Sequence, residues 1–421
     1  MHHFHYKNNE LYCEDVRVAD IAARLGTPFY LYSRATLLRH FKAFAGGFNT
    51  ISHLTCFAIK ACANLAILQQ FAALGGGADI VSGGELYRAL KAGIDPKKIV
   101  YSGVGKTKAE IREALFADIL LFNVESPQEL DRLQKLAAEL GTTAAVSFRI
   151  NPDVDPKTHA YISTGLAENK FGIPVDEALK QYMRAREMDN IEILGVSCHI
   201  GSQLTRLDPF LEALNKVKNF VGRLHDKGIE VKYLDIGGGL GITYDAEEPP
   251  PPQDYAGAIV KELSDMDCTL ILEPGRVIVG NGGILVTEVQ YTKVNSGGEK
   301  EKNFVIVDAA MNDLARPTLY GAFHEILPVK QEDVAEQVVD VVGPICETGD
   351  FLAKDRLLPV VNQGDLLAVM SCGAYGFTMS SNYNSRPRVA EVLVNGDEMH
   401  VIRRREDYDD LIRGEALLSL P

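Results

Sequence analysis

The residues with the greatest capacity for chemistry stand just after short apolar runs. Lys60 follows Phe57-Ala58-Ile59. A lysine amine in an apolar setting is desolvated, which favours its neutral, nucleophilic form and suits it to a Schiff base. The competing reading is a lysine whose stem lies on apolar surface while its ammonium reaches water. Gly237-Gly238-Gly239 follows Tyr233-Leu234-Asp235-Ile236. Glycines there let backbone N–H groups approach a phosphate, or simply close a tight loop. The run has neither the Gly-Lys-Ser/Thr ending of a P-loop nor the dinucleotide spacing. His199, in Ser197-Cys198-His199-Ile200-Gly201-Ser202, has no companions at metal-ligand spacing, so no metal is expected. Glu273-Pro274-Gly275-Arg276 puts a carboxylate and a guanidinium in one turn, as a salt-bridged turn or a ligand clamp. Farther on, Arg316 and Tyr320 suit recognition of a carboxylate. Cys346-Glu347 lies between glycines and prolines, and its thiol is either reactive or, as is usual for cysteine, buried and inert.

What positions these groups is a regular alternation. Strand-like runs occur at His53–Ile59, Gly77–Val81, Ile99–Ser102, Ile119–Phe122, Ala144–Ile150, Leu194–His199, Val231–Ile236 and Thr269–Glu273. They are short, apolar and rich in β-branched or aromatic residues, as buried parallel strands are. Amphipathic stretches separate them, with start and stop signals such as Ser126-Pro127 and Gly141. Eight such units without a composition break predict an α/β fold, a (β/α)8 TIM-type barrel over 36–280, rather than an open doubly wound sheet. In a barrel the functional groups stand at the C-terminal ends of strands. Those ends hold Lys60, Asp79 with Ser82, Arg149, His199 with Ser202, Gly237–Gly239, and Glu273 with Arg276.

After Gly283 the texture changes. Ile284–Val294, Asn303–Asp308, Val338–Val342, Asp365–Met370, Val389–Val394 and Met399–Arg403 read as strands, joined by turns such as Asn295-Ser296-Gly297-Gly298 and Asn395-Gly396-Asp397. Together with the strand-like Phe29-Tyr30-Leu31-Tyr32 they predict a mostly antiparallel β domain built from 1–35 and 281–421. The four prolines at 249–252 are expected to form a stiff surface loop, and residues 151–170 a long connection able to act as a lid.

The net charge of −14 over 421 residues argues against nucleic acid or an anionic membrane as partner, while leaving a small anionic ligand open. Arg403-Arg404-Arg405, the densest basic run, reads as a solvated face. Seven cysteines without a CxxC pair, and no signal peptide, predict free thiols in the cytoplasm. No apolar run reaches the roughly 20 residues of a membrane span.

Taken in order, these segments resemble the fold-type III pyridoxal-phosphate decarboxylases, the ornithine, arginine and diaminopimelate family. The segments are Phe57-Ala58-Ile59-Lys60-Ala61, Ser82-Gly83-Gly84-Glu85-Leu86, Cys198-His199-Ile200-Gly201-Ser202-Gln203, Gly237-Gly238-Gly239, Glu273-Pro274-Gly275-Arg276, Arg316-Pro317-Thr318-Leu319-Tyr320, Cys346-Glu347-Thr348-Gly349-Asp350 and Ser385-Arg386-Pro387-Arg388. Each alone is weak; eight in order across residues 20 to 415 are specific.

The resemblance implies pyridoxal 5'-phosphate as cofactor and Lys60 as its Schiff-base lysine. It further implies that Asp79 lies in the cofactor site and that His199 stacks on the ring. Gly237, Gly238, Gly239, Ser202, Gly275 and Arg276 would hold the phosphate, and Glu273 the ring nitrogen. By the same likeness Arg276, Arg316 and Tyr320 would grip the substrate's distal carboxylate and Glu347 its distal ammonium. Cys346 would donate the proton that replaces CO2, with Tyr375 close to cofactor and substrate. A homodimer with shared sites is implied, with Cys346 and Glu347 crossing the interface. The implied reaction belongs to the diaminopimelate branch: decarboxylation at the D-centre of meso-diaminopimelate, giving L-lysine. Ornithine- and arginine-decarboxylating relatives usually carry Asp after the Cys, where this chain has Glu347. Alternatives are another amino-acid substrate (ornithine, arginine or carboxynorspermidine), a racemase of the same fold, and a non-catalytic homologue. Glu273 disfavours the racemase, which faces its ring nitrogen with arginine. Lys60, Glu273 and Cys346 together disfavour the non-catalytic homologue. Cys62 departs from the small or polar residue that many relatives carry.

Overall fold

Eight short strands run parallel and close on themselves. A computed structural model describes residues 2–155, 169–296 and 301–418. The chain divides into two compact units, Leu38–Ile278 and Met1–Leu37 with Val279–Pro421. In the first, the strands are β1 (His53–Ala58), β2 (Gly77–Ile80), β3 (Ile99–Tyr101), β4 (Leu121–Val124), β5 (Ala144–Asn151), β6 (Ile191–Ser197), β7 (Tyr233–Asp235) and β8 (Thr269–Leu272). Neighbours in sequence pair in parallel, and β8 pairs with β1 through Leu270 and His53. This is the expected TIM-type barrel.

Side chains two residues apart on a strand share a face. On one such face Cys56, Val100, Leu121 and Ile271 form a buried apolar cluster, with Leu54 and Tyr233 packed against it. Each fully buried aliphatic side chain contributes about 1.5–3 kcal/mol. Two residues onward from Leu121, Tyr233 and Ile271, the same face carries Asn123, Asp235 and Glu273, all buried. The barrel's filling therefore changes from apolar to polar at the strands' C-terminal ends.

Helices follow each of the first seven strands, and their ends obey local chemistry. Ser126 accepts from the Glu129 N–H, Pro127 occupies the first turn, and Gly141 ends the helix at φ +64°. Thr107 and Glu110 form a reciprocal capping box. Two expectations need correction. The fourth strand is Leu121–Val124, two residues later than predicted: the Leu120 N–H is shared between the carbonyls of Pro96 and Ile99, and the paired register begins at Leu121 opposite Val100. Pro252 belongs to a helix, Pro252–Glu262, at the first position, where its missing N–H costs nothing.

The second unit is mostly antiparallel, as expected. Its strand order is Phe351–Pro359, Glu336–Val342, Lys302–Val307, Gly283–Asn295, Phe29–Ser33, Ala390–Asn395, Glu398–Arg403. Phe29–Ser33 runs antiparallel to Gly283–Asn295 and parallel to Ala390–Asn395. Phe4, Leu11, Val18, Ile21, Phe29, Leu31, Ile284, Val286 and Val392 share its core. Phe351–Pro359 and Ile326–Pro328 are strands the sequence pattern did not reveal. Arg403 is not simply solvated: it pairs with buried Glu391 at 2.6 Å and lies over the Phe377 ring at 4.7 Å. Among the described residues no helix is long and apolar enough to cross a membrane. All seven cysteines are free.

Candidate active site

In the barrel unit Lys60 sits in a single 3-10 turn, Ile59–Ala61, at the end of β1. Its Nζ is 2.7 Å from Oδ2 of Asp79 on β2, a carboxylate with no exposure. The apolar surroundings expected for Lys60 are thus a charge-assisted pair. Asp79 Oδ1 is buried with no hydrogen-bond partner.

Around this pair lies the polar layer. Asn123 Nδ2 donates to Asp235 Oδ2 at 2.9 Å and to Glu273 Oε1 at 3.4 Å. Ser102 Oγ donates to Glu273 Oε1 at 3.3 Å. Burial first, then Asp235 and Asp79, hold the Glu273 carboxyl well above its usual range. Burial pushes Asp235 up to about 6. Glu273 and Asp235 thus hold a proton more tightly than exposed carboxyls do, while Asp79 is paired with the Lys60 ammonium.

His199 lies just beyond β6, and its Nδ1 accepts the Gly238 N–H at 3.2 Å. The ring proton is therefore on Nε2. Burial, then Arg149 and Lys60, keep this imidazole neutral. The glycine run is shaped by the same contacts. Gly237 has φ +69° and donates to Asp235 Oδ1 at 2.9 Å. A Cβ on Gly238 would stand 2.1 Å from the Glu273 carbonyl oxygen. Two of the three amides expected to meet a phosphate are thus engaged within the site. A Cβ on Gly275 would come 3.0 Å from that of Ala61, so this turn too is closely packed. Arg276 donates to Ser202 Oγ at 3.1 Å and to the Tyr244 hydroxyl at 2.7 Å.

Sequence reasoning singled out neither Asn123 nor Ser102, and quoted Asp235 only as strand. The available signal was a polar residue at the last inward position of an otherwise apolar strand. It also missed the partners of Arg149. Glu125 accepts from Arg149 at 3.0 Å and from the Gly103 and Gly172 amides, while buried Lys106 and Glu129 pair at 2.7 Å beside it. The expected lid falls largely on residues 156–168, outside the described residues. So do Gly297 and Gly298 of the predicted turn.

In the second unit Arg316 and Tyr320 open and close one short helix, Arg316–Tyr320. Thr318 Oγ1 donates to the Gly349 carbonyl at 2.6 Å, tying this helix to the Cys346-Glu347 turn. That turn is built on Asp350, which accepts the Ile345 N–H at 2.7 Å and the Met311 N–H at 2.7 Å. Cys346 is exposed, overturning its reading as a buried inert thiol, and its N–H meets Asn384 Oδ1 at 3.0 Å. Glu347 accepts from the Tyr383 hydroxyl at 2.9 Å. Tyr375 is held at φ +57°, an unusual conformation for a bulky residue.

Residues 34–280 match the family described as pyridoxal-dependent decarboxylase, pyridoxal binding domain. The chain belongs to this family. It is 55% identical to the diaminopimelate decarboxylase of Pseudomonas aeruginosa over 415 residues, 99% of either chain. The diaminopimelate decarboxylase of Helicobacter pylori, solved with L-lysine, superposes with a TM-score of 0.90 at 46% identity, over 94% of this chain and 98% of that one. The M. jannaschii enzyme, also with L-lysine, gives 0.93 at 40% identity over 99% and 98%.

The barrel residues fit pyridoxal phosphate. A cationic ring N–H answers the surplus of buried carboxyls at Glu273, Asp235 and Asp79, and the partnerless Asp79 Oδ1 marks the same surplus. One prediction follows for the cofactor-free protein. Raised carboxyl pKa values mean that the fold binds more protons than the unfolded chain, so stability is fullest at low pH and falls as pH rises through the folded values. The carboxyl contribution to the melting temperature should therefore drop between about pH 5 and 8, against the opposite contribution of His199, so that Glu273→Gln loses less stability over this range than the wild type. Thermal unfolding of both proteins across that range checks this; equal slopes would reject it.

Proposed function

We propose that this chain decarboxylates meso-diaminopimelate at its D-centre to give L-lysine, as a cytoplasmic homodimer with shared sites. The observation that carries the reading is the polar layer, with the Lys60 amine beside Asp79 and within reach of the fields of Glu273 and His199. When bound, pyridoxal phosphate supplies an electron sink for the carbanion left as CO2 departs.

Each residue then has a task. Lys60 holds the cofactor through its amine. Glu273 keeps a proton at the ring nitrogen, in a setting whose burial already favours a shared proton. His199, neutral and fixed by Gly238, offers a flat face to the ring. Ser202, Gly239, Gly275 and Arg276 bind the phosphate, with Gly237 and Gly238, whose amides are held by Asp235 and His199, setting the turn. Arg276, Arg316 and Tyr320 receive the substrate's distal carboxylate, Glu347 its distal ammonium, and Tyr375 lies close to cofactor and substrate. Cys346 Sγ delivers the proton to the carbon that lost CO2, consistent with its exposure and its pinned backbone.

Substrate choice follows from the buried guanidiniums. Arg276 and Arg316 are 6% and 7% exposed, and a second carboxylate on the substrate would give these buried guanidiniums a charge-assisted partner that ornithine cannot supply. A CO2-release assay should therefore favour meso-diaminopimelate over ornithine, arginine, lysine and carboxynorspermidine by on the order of 10³-fold or more in kcat/KM. Preference for ornithine would overturn the substrate assignment.

A further inference from the structure

We propose that His324, which lies outside the residues assigned above, is a positioning residue that sets the guanidinium of Arg316 for the substrate's distal carboxylate. The proposal rests on the reading of Arg316 given above. Arg316 Nη1 and His324 Nε2 are 2.9 Å apart, and both residues are buried. A guanidinium has hydrogens to give and no lone pair to offer, so Nε2 must be the acceptor. The imidazole proton is then on Nδ1, where the Met370 carbonyl lies at 2.8 Å. The contact thus requires one tautomer of the neutral ring. A second ring proton would set an N–H against an N–H between two cations.

The far side of the imidazole is firmly seated. Met370 directly follows the strand Leu366–Val369, and its N–H donates to the Glu325 carbonyl at 2.8 Å. The His324 carbonyl accepts from Arg356 Nη1 at 2.7 Å, and that guanidinium lies 3.8 Å from the centre of the Phe323 ring. Cys372 Sγ packs 3.6 Å from Nδ1. A rigid chain therefore leads from the sheet through the imidazole to the arginine. The choice of imidazole matters at this contact. A carboxylate here would orient the arginine equally well, but it would neutralise the guanidinium and compete with an incoming carboxylate. A neutral acceptor orients the group without adding a negative charge of its own.

The test uses the holoenzyme and four variants. His324→Leu removes the acceptor. His324→Gln keeps an acceptor and a donor on one side chain. His324→Asn is too short to span both partners and carries the same test if the leucine variant does not fold. Arg316→Met tests the underlying reading. We expect His324→Leu to raise KM for meso-diaminopimelate by about 10–100-fold, the worth of a hydrogen bond to a charged group, with kcat within about threefold. Inhibition by L-lysine, which retains the gripped carboxylate, should weaken in parallel. Inhibition by pentane-1,5-diamine, which lacks it, should not. His324→Gln should recover most of the loss. An unchanged KM in His324→Leu, alongside a raised KM in Arg316→Met, would overturn the role of His324 alone. An unchanged KM in Arg316→Met would overturn the reading of Arg316. Equal weakening of both inhibitors together with a fallen kcat would mark general structural damage and reject positioning.

Discussion

Lys60→Ala should take up no visible colour from pyridoxal phosphate and should release CO2 from meso-diaminopimelate on the order of 10⁴-fold more slowly, or worse. The amine is the group through which the cofactor is held, and no other described lysine takes its place beside Asp79. Alanine does a second thing: it strips a fully buried carboxylate of its ammonium. Because Lys60 itself is 36% exposed, that loss should cost only about 1 kcal/mol after solvent screening. Lys60→Arg separates the two effects. It preserves a cation for Asp79 but presents no nucleophilic amine, so it should fold like the wild type and remain colourless. Absorbance spectra after cofactor addition, with single-turnover CO2 release, read both variants. A coloured, active Lys60→Arg protein would remove Lys60 from its role.

Cys346→Ala should leave the cofactor's absorbance unchanged and lower kcat by about 10²–10⁴-fold, the usual contribution of a positioned general acid. The backbone that presents the thiol does not depend on the sulfur. Asp350 and Asn384 hold the Ile345 and Cys346 amides, and those bonds survive the substitution. KM should therefore move little, since Arg316, Tyr320 and Glu347 are untouched. Steady-state kinetics on the holoenzyme check this. Unchanged turnover would assign the proton to another group.

The barrel was legible because each strand is a short apolar run closed by its own turn chemistry, and because eight of them occur without a break. The lysine, the histidine and the acidic turn were legible because polar residues fall where those runs stop. Less accessible was anything created by convergence. Asn123, Asp235 and Glu273 lie on three strands and meet only because their registers align, which no local pattern states. Lys106 reads as an ordinary loop lysine until the fold buries it against Glu129. His324 reads as an isolated ring until Arg316 and Met370 are brought to its two nitrogens. Phe351–Pro359 was missed because Lys354, Asp355 and Arg356 interrupt its apolar pattern; the first two are exposed, and Arg356 is half-buried over Phe323.

The strand Phe29–Ser33 has a consequence for how the chain is made. Both of its partners come later, Gly283–Asn295 after about 250 further residues and Ala390–Asn395 after about 350. At about 5–20 residues per second, a ribosome needs on the order of 12–50 s to deliver the first of them. Throughout that interval a fully apolar segment, Phe29-Tyr30-Leu31-Tyr32, has emerged without a ladder to join, while the whole Leu38–Ile278 unit is synthesised behind it. This strand is made before both of its partners and is among the last elements to reach its native place.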